Sequence, residues 1–187
     1  LILADLTRQG DRLAFTTDSY VIDPIFFPGG NIGKLAVCGT ANDLAVSGAT
    51  PAYLSCGFIL EEGLPLADLQ KIVGAMAKTA RDAGIAIVTG DTKVVQRGAA
   101  DKIFINTAGI GVIPTSVKWA AKTLEAGDKV IVSGTLGDHG AAILNLREQL
   151  GMDLGVESDC AVLAPMIAPL RALAGVHALR DATRGGV

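Results

Sequence analysis

The chain has 187 residues, half of them hydrophobic and few aromatic, which is enough for one large domain or one and a half ordinary ones and excludes a disordered chain. Its 23 glycines suit an α/β or α+β enzyme with small side chains at tight turns. A formal charge of −3, with Lys and Arg interleaved among Asp and Glu, leaves no basic patch, which argues against nucleic acid or an anionic membrane surface as partner. Every apolar run is interrupted well short of the roughly 18 residues that a membrane span requires. The chain begins on Leu1 without a Met or a basic lead, reads as cut from something longer, and is expected in the cytoplasm.

Leu13 and Phe15 alternate with Arg12, Ala14 and Thr16, which predicts a strand from Asp11 to Thr17 closed by an acidic residue, Asp18. Asp23 to Gly30 holds two prolines and two glycines around Phe26 and Phe27, the chemistry of a loop with exposed aromatics. Asn31 then caps a helix that runs to Gly48, where Pro51 forbids its continuation. A strand from Ala52 to Leu60 and an amphipathic helix from Leu66 to Ala83 follow, the helix stopped by Gly84. Ile85 to Val88 reads as a short, fully buried strand that ends at Thr89-Gly90-Asp91-Thr92-Lys93. Ile103 to Ile113 is a further strand, with Gly109 and Gly111 marking places where a backbone or ligand approaches closely. Residues 114–127 lack apolar periodicity and read as a junction between a first domain, 1–115, and the start of a second, 127–187. The second is expected to contain a strand from Lys129 to Ser133, a glycine-rich turn from Gly134 to Gly140, a helix from Ala141 to Leu150, and a helix from Asp159 to Leu173 broken near Pro165 and Pro169.

The glycine motifs do not complete a known nucleotide loop. Gly29 to Leu35 is too short between its glycines for a phosphate loop and has Leu35 in place of the hydroxyl residue, and neither Gly109-x-Gly111 nor Gly134-x-x-Gly137-x-x-Gly140 is a dinucleotide fingerprint. Cys38, Cys56 and Cys160 show no metal or disulfide spacing and read as buried thiols. The stronger lead is acidic. Asp18 and Asp91 follow predicted strands, and Asp43 sits beside Asn42 inside an otherwise apolar helix, where an unpaired carboxylate is costly. If the three converge they favour a divalent cation with hard oxygen ligands, magnesium, and with it phosphate, with Lys93 placed to meet a transferred phosphate and Thr17 and Thr92 to donate hydrogen bonds. On spacing alone, caps and turns explain these residues equally well.

Phe15 to Pro24, Gly39 to Ala49, and Val88 to Val95 together resemble the HypE family of hydrogenase maturation proteins, over nearly the whole span from Asp11 to Val187. HypE belongs to the superfamily of ATP-using enzymes that includes aminoimidazole ribonucleotide synthetase, selenophosphate synthetase and thiamine-phosphate kinase. The resemblance implies a mixed α+β or α/β fold in which the sheet of the N-terminal, ATP-binding domain forms a β-barrel across a homodimer, followed by an α/β second domain that is incomplete here. It implies ATP-dependent dehydration of a carboxamide, placed by a carbamoyltransferase partner on the protein's own C-terminal cysteine, to a thiocyanate that passes to an iron-carrier complex as cyanide. By the same resemblance Asp18, Asp43 and Asp91 hold magnesium, and Thr17, Asn42, Thr92 and Arg184 contact ATP. Lys93 and Asp43 serve phosphoryl transfer.

Two family elements are expected outside this span: an acidic turn upstream of the first strand, for which Asp5 is no substitute, and the cysteine tail beyond Val187. The fragment alone is therefore not expected to complete the reaction. The alternatives are another enzyme of the superfamily, such as selenophosphate synthetase, and a non-catalytic dimerisation or partner-docking module presenting Phe26 and Phe27.

Overall fold

The computed structural model describes residues 7, 10–148, 155–183 and 186. Its first half is built from β1 (Arg12–Tyr20), a small ribbon of β2 (Phe26–Phe27) and β3 (Gly30–Asn31), α1 (Ile32–Val46), β4 (Thr50–Glu61), α2 (Leu66–Ala83), β5 (Ala86–Val95) and β6 (Ile103–Ile113). Four of the strands form a mixed sheet in the order β1-β6-β4-β5, with β4 and β5 parallel and the other neighbours antiparallel. Parallel strands need a crossover, and α2 supplies it. Its apolar stripe buries Ile72, Met76 and Ala80, and Gly84 ends it in the left-handed conformation that a side chain disfavours.

Both α1 and α2 lie on one face of the sheet. The core there is made by Ile32, Ala36, Val37 and Ala41 of α1, Ile72 and Met76 of α2, and Leu54, Ile103 and Ile105 of the strands. Among the described residues nothing packs on the opposite face. Leu13, Phe15 and Ile59 project from it with 50, 71 and 42% of their surface exposed, although alternation on a sheet covered on one side would make that face polar.

Several expectations are corrected. β1 continues to Tyr20, so Asp18 lies inside the strand opposite Thr107 instead of closing it. β5 is neither short nor buried: it runs to Val95 with Asp91 in its middle, and it is exposed along its length because it is an edge strand bonded to β4 alone. Phe26 and Phe27 are not an exposed pair. Phe27 is buried and Phe26 packs against the core beneath the Lys71 ammonium. The close approaches at Gly109 and Gly111 are made by the protein itself: a Cβ at Gly109 would stand 2.8 Å from Thr40 Cγ2, and one at Gly111 2.8 Å from the Thr50 carbonyl oxygen.

In the second half, Lys129 to Ser133 is not a strand. Val130 and Ile131 are 78 and 89% exposed, and among the described residues nothing pairs with them to form a ladder. α3 spans Asp138–Arg147, and the helix expected after Asp159 is reduced to α4 (Ala164–Ile167) and a 3₁₀ turn (Ala168–Ala172), each with a proline in its first turn. This half is fastened to the first by named bonds. Ser158 N donates to Pro28 O at 2.9 Å, Arg147 Nε to Asp23 O at 2.6 Å, and Arg171 Nη1 and Nη2 to Thr50 Oγ1 and Ala49 O at 2.7 and 3.0 Å.

Candidate functional site

α1 is the element on which the site is built. The Asn31 side chain accepts from the Gly33 and Lys34 N–H groups at 2.9 and 3.0 Å, so the helix starts where the sequence places its cap. A buried chain of hydroxyls then fixes it to the sheet. Thr107 Oγ1 donates to Ala36 O at 3.1 Å, which commits its proton, so Thr40 donates to Thr107 and Tyr20 to Thr40. Burial pushes the Tyr20 phenol well above its ordinary range, so it stays protonated as that order requires.

Asp43 follows on α1. Its carboxylate accepts from Thr16 Oγ1 at 3.0 Å, and its pKa is raised, first by burial and then by the charges of Asp181 and Asp18; the Thr16 bond opposes the shift. The charges of Asp181, in the second half, and of Asp18, on β1, thus both act on Asp43. A neighbouring cleft of about 180 Å³ is lined by Asp43, Val46, Ser47, Trp119, Ala120 and Leu179. Carboxylate oxygens are hard donors and suit a hard divalent cation, so the chemistry of Asp43 with Asp18 fits magnesium.

The other expected site residues are placed differently. Asn42 spends both ends of its amide on the chain: Nδ2 donates to Ala161 O at 2.9 Å, and Oδ1 accepts from Leu163 N at 2.8 Å. It clamps the second half onto α1. Thr17 Oγ1 donates to Thr107 O at 3.1 Å and accepts from Asn106. Asp91 and Lys93 form an exposed ion pair at 2.7 Å, which, with the Thr92 N–H bonded to Asp91, lowers the Asp91 pKa. The register sets them beside Gly57 and Ile59, on the face of the sheet away from the helices, whereas Asp18 and Asp43 are on the helix side. Within one chain the three aspartates do not converge, and among the described residues no group of three or more His, Cys, Asp or Glu is arranged to hold a metal ion. Arg184 lies outside the described residues. Sequence reasoning missed Thr16 and Asp181. Thr16 is two residues from Asp18, hence on the same strand face, a signal that was available; the approach of Asp181 to α1 had none.

Comparison with known proteins places the chain in a family. The family model for the AIR synthase related protein N-terminal domain matches residues 3–113, and that for the C-terminal domain matches 125–187. The carbamoyl dehydratase HypE of Escherichia coli (strain K12) is 74% identical over 187 residues, covering all of this chain and 56% of that protein. A crystal structure of the hydrogenase maturation protein HypE in complex with ATP superimposes with a TM-score of 0.88 at 54% identity, over 94% of this chain and 52% of that one. A HypE–HypF complex gives a TM-score of 0.91 at 52% identity, over 94% and 58%. The chain thus spans about half the length of the relatives it matches. It belongs to the AIR synthase related protein family, in which curated relatives such as those of Escherichia coli and Rhodobacter capsulatus carry the name carbamoyl dehydratase HypE.

Proposed function

We propose that this chain supplies the magnesium-ATP wall of a carbamoyl dehydratase acting in hydrogenase maturation. The observation that carries the reading is Asp43: a carboxylate in an apolar helix whose charge is disfavoured by burial and by the charges of Asp181 and Asp18, a penalty that a bound cation would relieve. The ATP complex of a HypE that is 54% identical supports it from outside. The reaction asks little covalent chemistry of this span. Phosphorylating the oxygen of a thiol-bound carboxamide turns a poor leaving group into phosphate, and its elimination leaves a thiocyanate, so the protein's task is to position groups and balance charge.

In this reading Asp18 and Asp43 hold magnesium from the helix side, and Asp91, Thr92 and Lys93 on the edge strand serve a site completed by a second copy. The face away from the helices, with Leu13, Phe15 and Ile59 exposed, supports a homodimer whose two sheets close into a barrel. Lys93, beside Asp91 on the edge strand, would neutralise charge on the transferred phosphoryl group. A partner protein is supported by the HypE–HypF complex; in this reading that partner supplies the carbamoyl group, and the cyanide passes to an iron-carrying acceptor.

Calorimetry of magnesium-ATP on the intact protein tests the reading. Asp43→Asn is expected to abolish metal-dependent binding while the protein remains folded, and undiminished binding would remove Asp43 from the site. Phe15→Glu is expected to convert a dimer to a monomer in sedimentation; a native monomer would leave the barrel without support.

A further inference from the structure

Asp43 lies between Thr40 and Leu44, on a stretch of α1 that packs directly on the sheet. Both of those neighbours bear on Gly109 of β6, where a Cβ would stand 2.8 Å from Thr40 Cγ2 and 2.9 Å from Leu44 Cδ1. Gly109 is paired in register with Thr16 of β1. A side chain at Gly109 would push the helix outward; with glycine there α1 settles onto β6, and the residue beside it on β1 can reach the helix. Thr16 does so. Its hydroxyl donates to Asp43 Oδ2 at 3.0 Å, across 27 positions of sequence, and both residues are half-buried. The donor is well fixed, because a β-branched side chain on a paired strand has little freedom at χ1. The acceptor is fixed too, since Thr40 and the Ala36 carbonyl tie α1 to Thr107.

A carboxylate held in this way is not equivalent at its two oxygens. Chelating one ion with both requires the carboxylate plane to turn freely toward it, and the bond from Thr16 to Oδ2 opposes that turn. Magnesium demands near-ideal octahedral geometry, which the narrow bite of a two-oxygen carboxylate serves poorly, whereas calcium accepts more and looser oxygen ligands and takes carboxylates in either mode. We propose that Thr16 is a specificity-determining positioning residue, which holds Asp43 as a one-oxygen ligand and so favours magnesium over calcium at the nucleotide site. This rests on the reading of Asp43 as a metal ligand. Thr16 is not a ligand itself; it acts through Asp43, from the strand face that also carries Asp18. Losing its hydroxyl lets both oxygens of Asp43 turn to one ion, a gain for calcium and none for magnesium.

The test titrates the magnesium and calcium complexes of a non-hydrolysable ATP analogue into the intact protein by calorimetry, for the native protein, Thr16→Val, Thr16→Ser and Asp43→Asn. The expected result is a preference for magnesium that falls about tenfold in Thr16→Val, through weaker magnesium and equal or tighter calcium binding, and that returns in Thr16→Ser, which keeps the donor. Thr16→Ala removes the same hydroxyl and gives the same ratio if the valine variant does not fold. With Asp43→Asn abolishing metal-dependent binding, an unchanged ratio in the valine or alanine variant, or the equal loss for both metals that a merely structural role would give, overturns the proposal. Undiminished binding by Asp43→Asn instead removes the underlying reading, and this assignment with it.

Discussion

Asn42 separates two roles sharply, because its amide is either a nucleotide contact or a clamp. The perturbation is Asn42→Ala. It removes a donor to Ala161 O and an acceptor for Leu163 N. A net hydrogen bond contributes roughly 0.5–1.5 kcal/mol, so the pair is worth about 2 kcal/mol. For a chain of this size that lowers the thermal midpoint by about 4–8 °C. Asn42→Asp is expected to cost at least as much: it keeps the acceptor for Leu163 but turns a carboxylate toward the Ala161 carbonyl and adds charge beside Asp43. Urea unfolding gives the change in stability, and hydrogen exchange at the Leu163 amide reports the clamp locally. The reasoning is refuted if Asn42→Ala leaves both the unfolding midpoint and Leu163 protection unchanged while magnesium-ATP affinity falls tenfold.

Three further outcomes follow from the same geometry. The raised pKa of Asp43 means that its contribution to stability is fully present below the ordinary carboxylate value and is lost as pH rises through the higher folded value, so metal-free Asp43→Asn should be more stable than the native protein at pH 7, with the difference shrinking toward pH 3; an unchanged difference across that range in a pH-melting series counts against it. Thr107→Val strands the Thr40 hydroxyl without its acceptor and should cost about 1–3 kcal/mol in denaturant titration, whereas a neutral result would mean that the hydroxyl chain is not closed as described. Gly33→Ala sets a Cβ 2.5 Å from Ile72 O and 2.7 Å from Met76 Cγ, forcing α1 and α2 apart at a cost of about 1–3 kcal/mol; a stabilised variant would show that the helices yield there freely.

Local chemistry was readable where it acts over a few residues. The Leu66–Ala83 helix has the predicted bounds because a strong amphipathic period meets Gly84, and Asn31 caps α1 through bonds two and three residues away. Asp43 was identifiable as misplaced in its helix from its apolar neighbours alone. What could not be read depends on distant partners. The ends of the Asn42 amide go to residues 119 and 121 positions away. β5 has the composition of a covered strand, but burial depends on its place at the edge of the sheet, which a run of apolar residues does not encode. The same holds for Asp91, whose face of the sheet follows from pairing with β4 and from nothing in Gly-Asp-Thr itself.

The bond from Thr107 to the Ala36 carbonyl has a consequence for aim. A helix packed only by apolar side chains can turn about its own axis at small cost, but α1 carries a sideways tie from its backbone to β6 and a second through Thr40. Ala36, Thr40 and Asp43 fall on one stripe, because steps of four and three residues return to nearly the same angle at 3.6 residues per turn. The two ties therefore index the helix in rotation like a key in a slot. The bearing of the Asp43 carboxylate is set two turns before the residue itself.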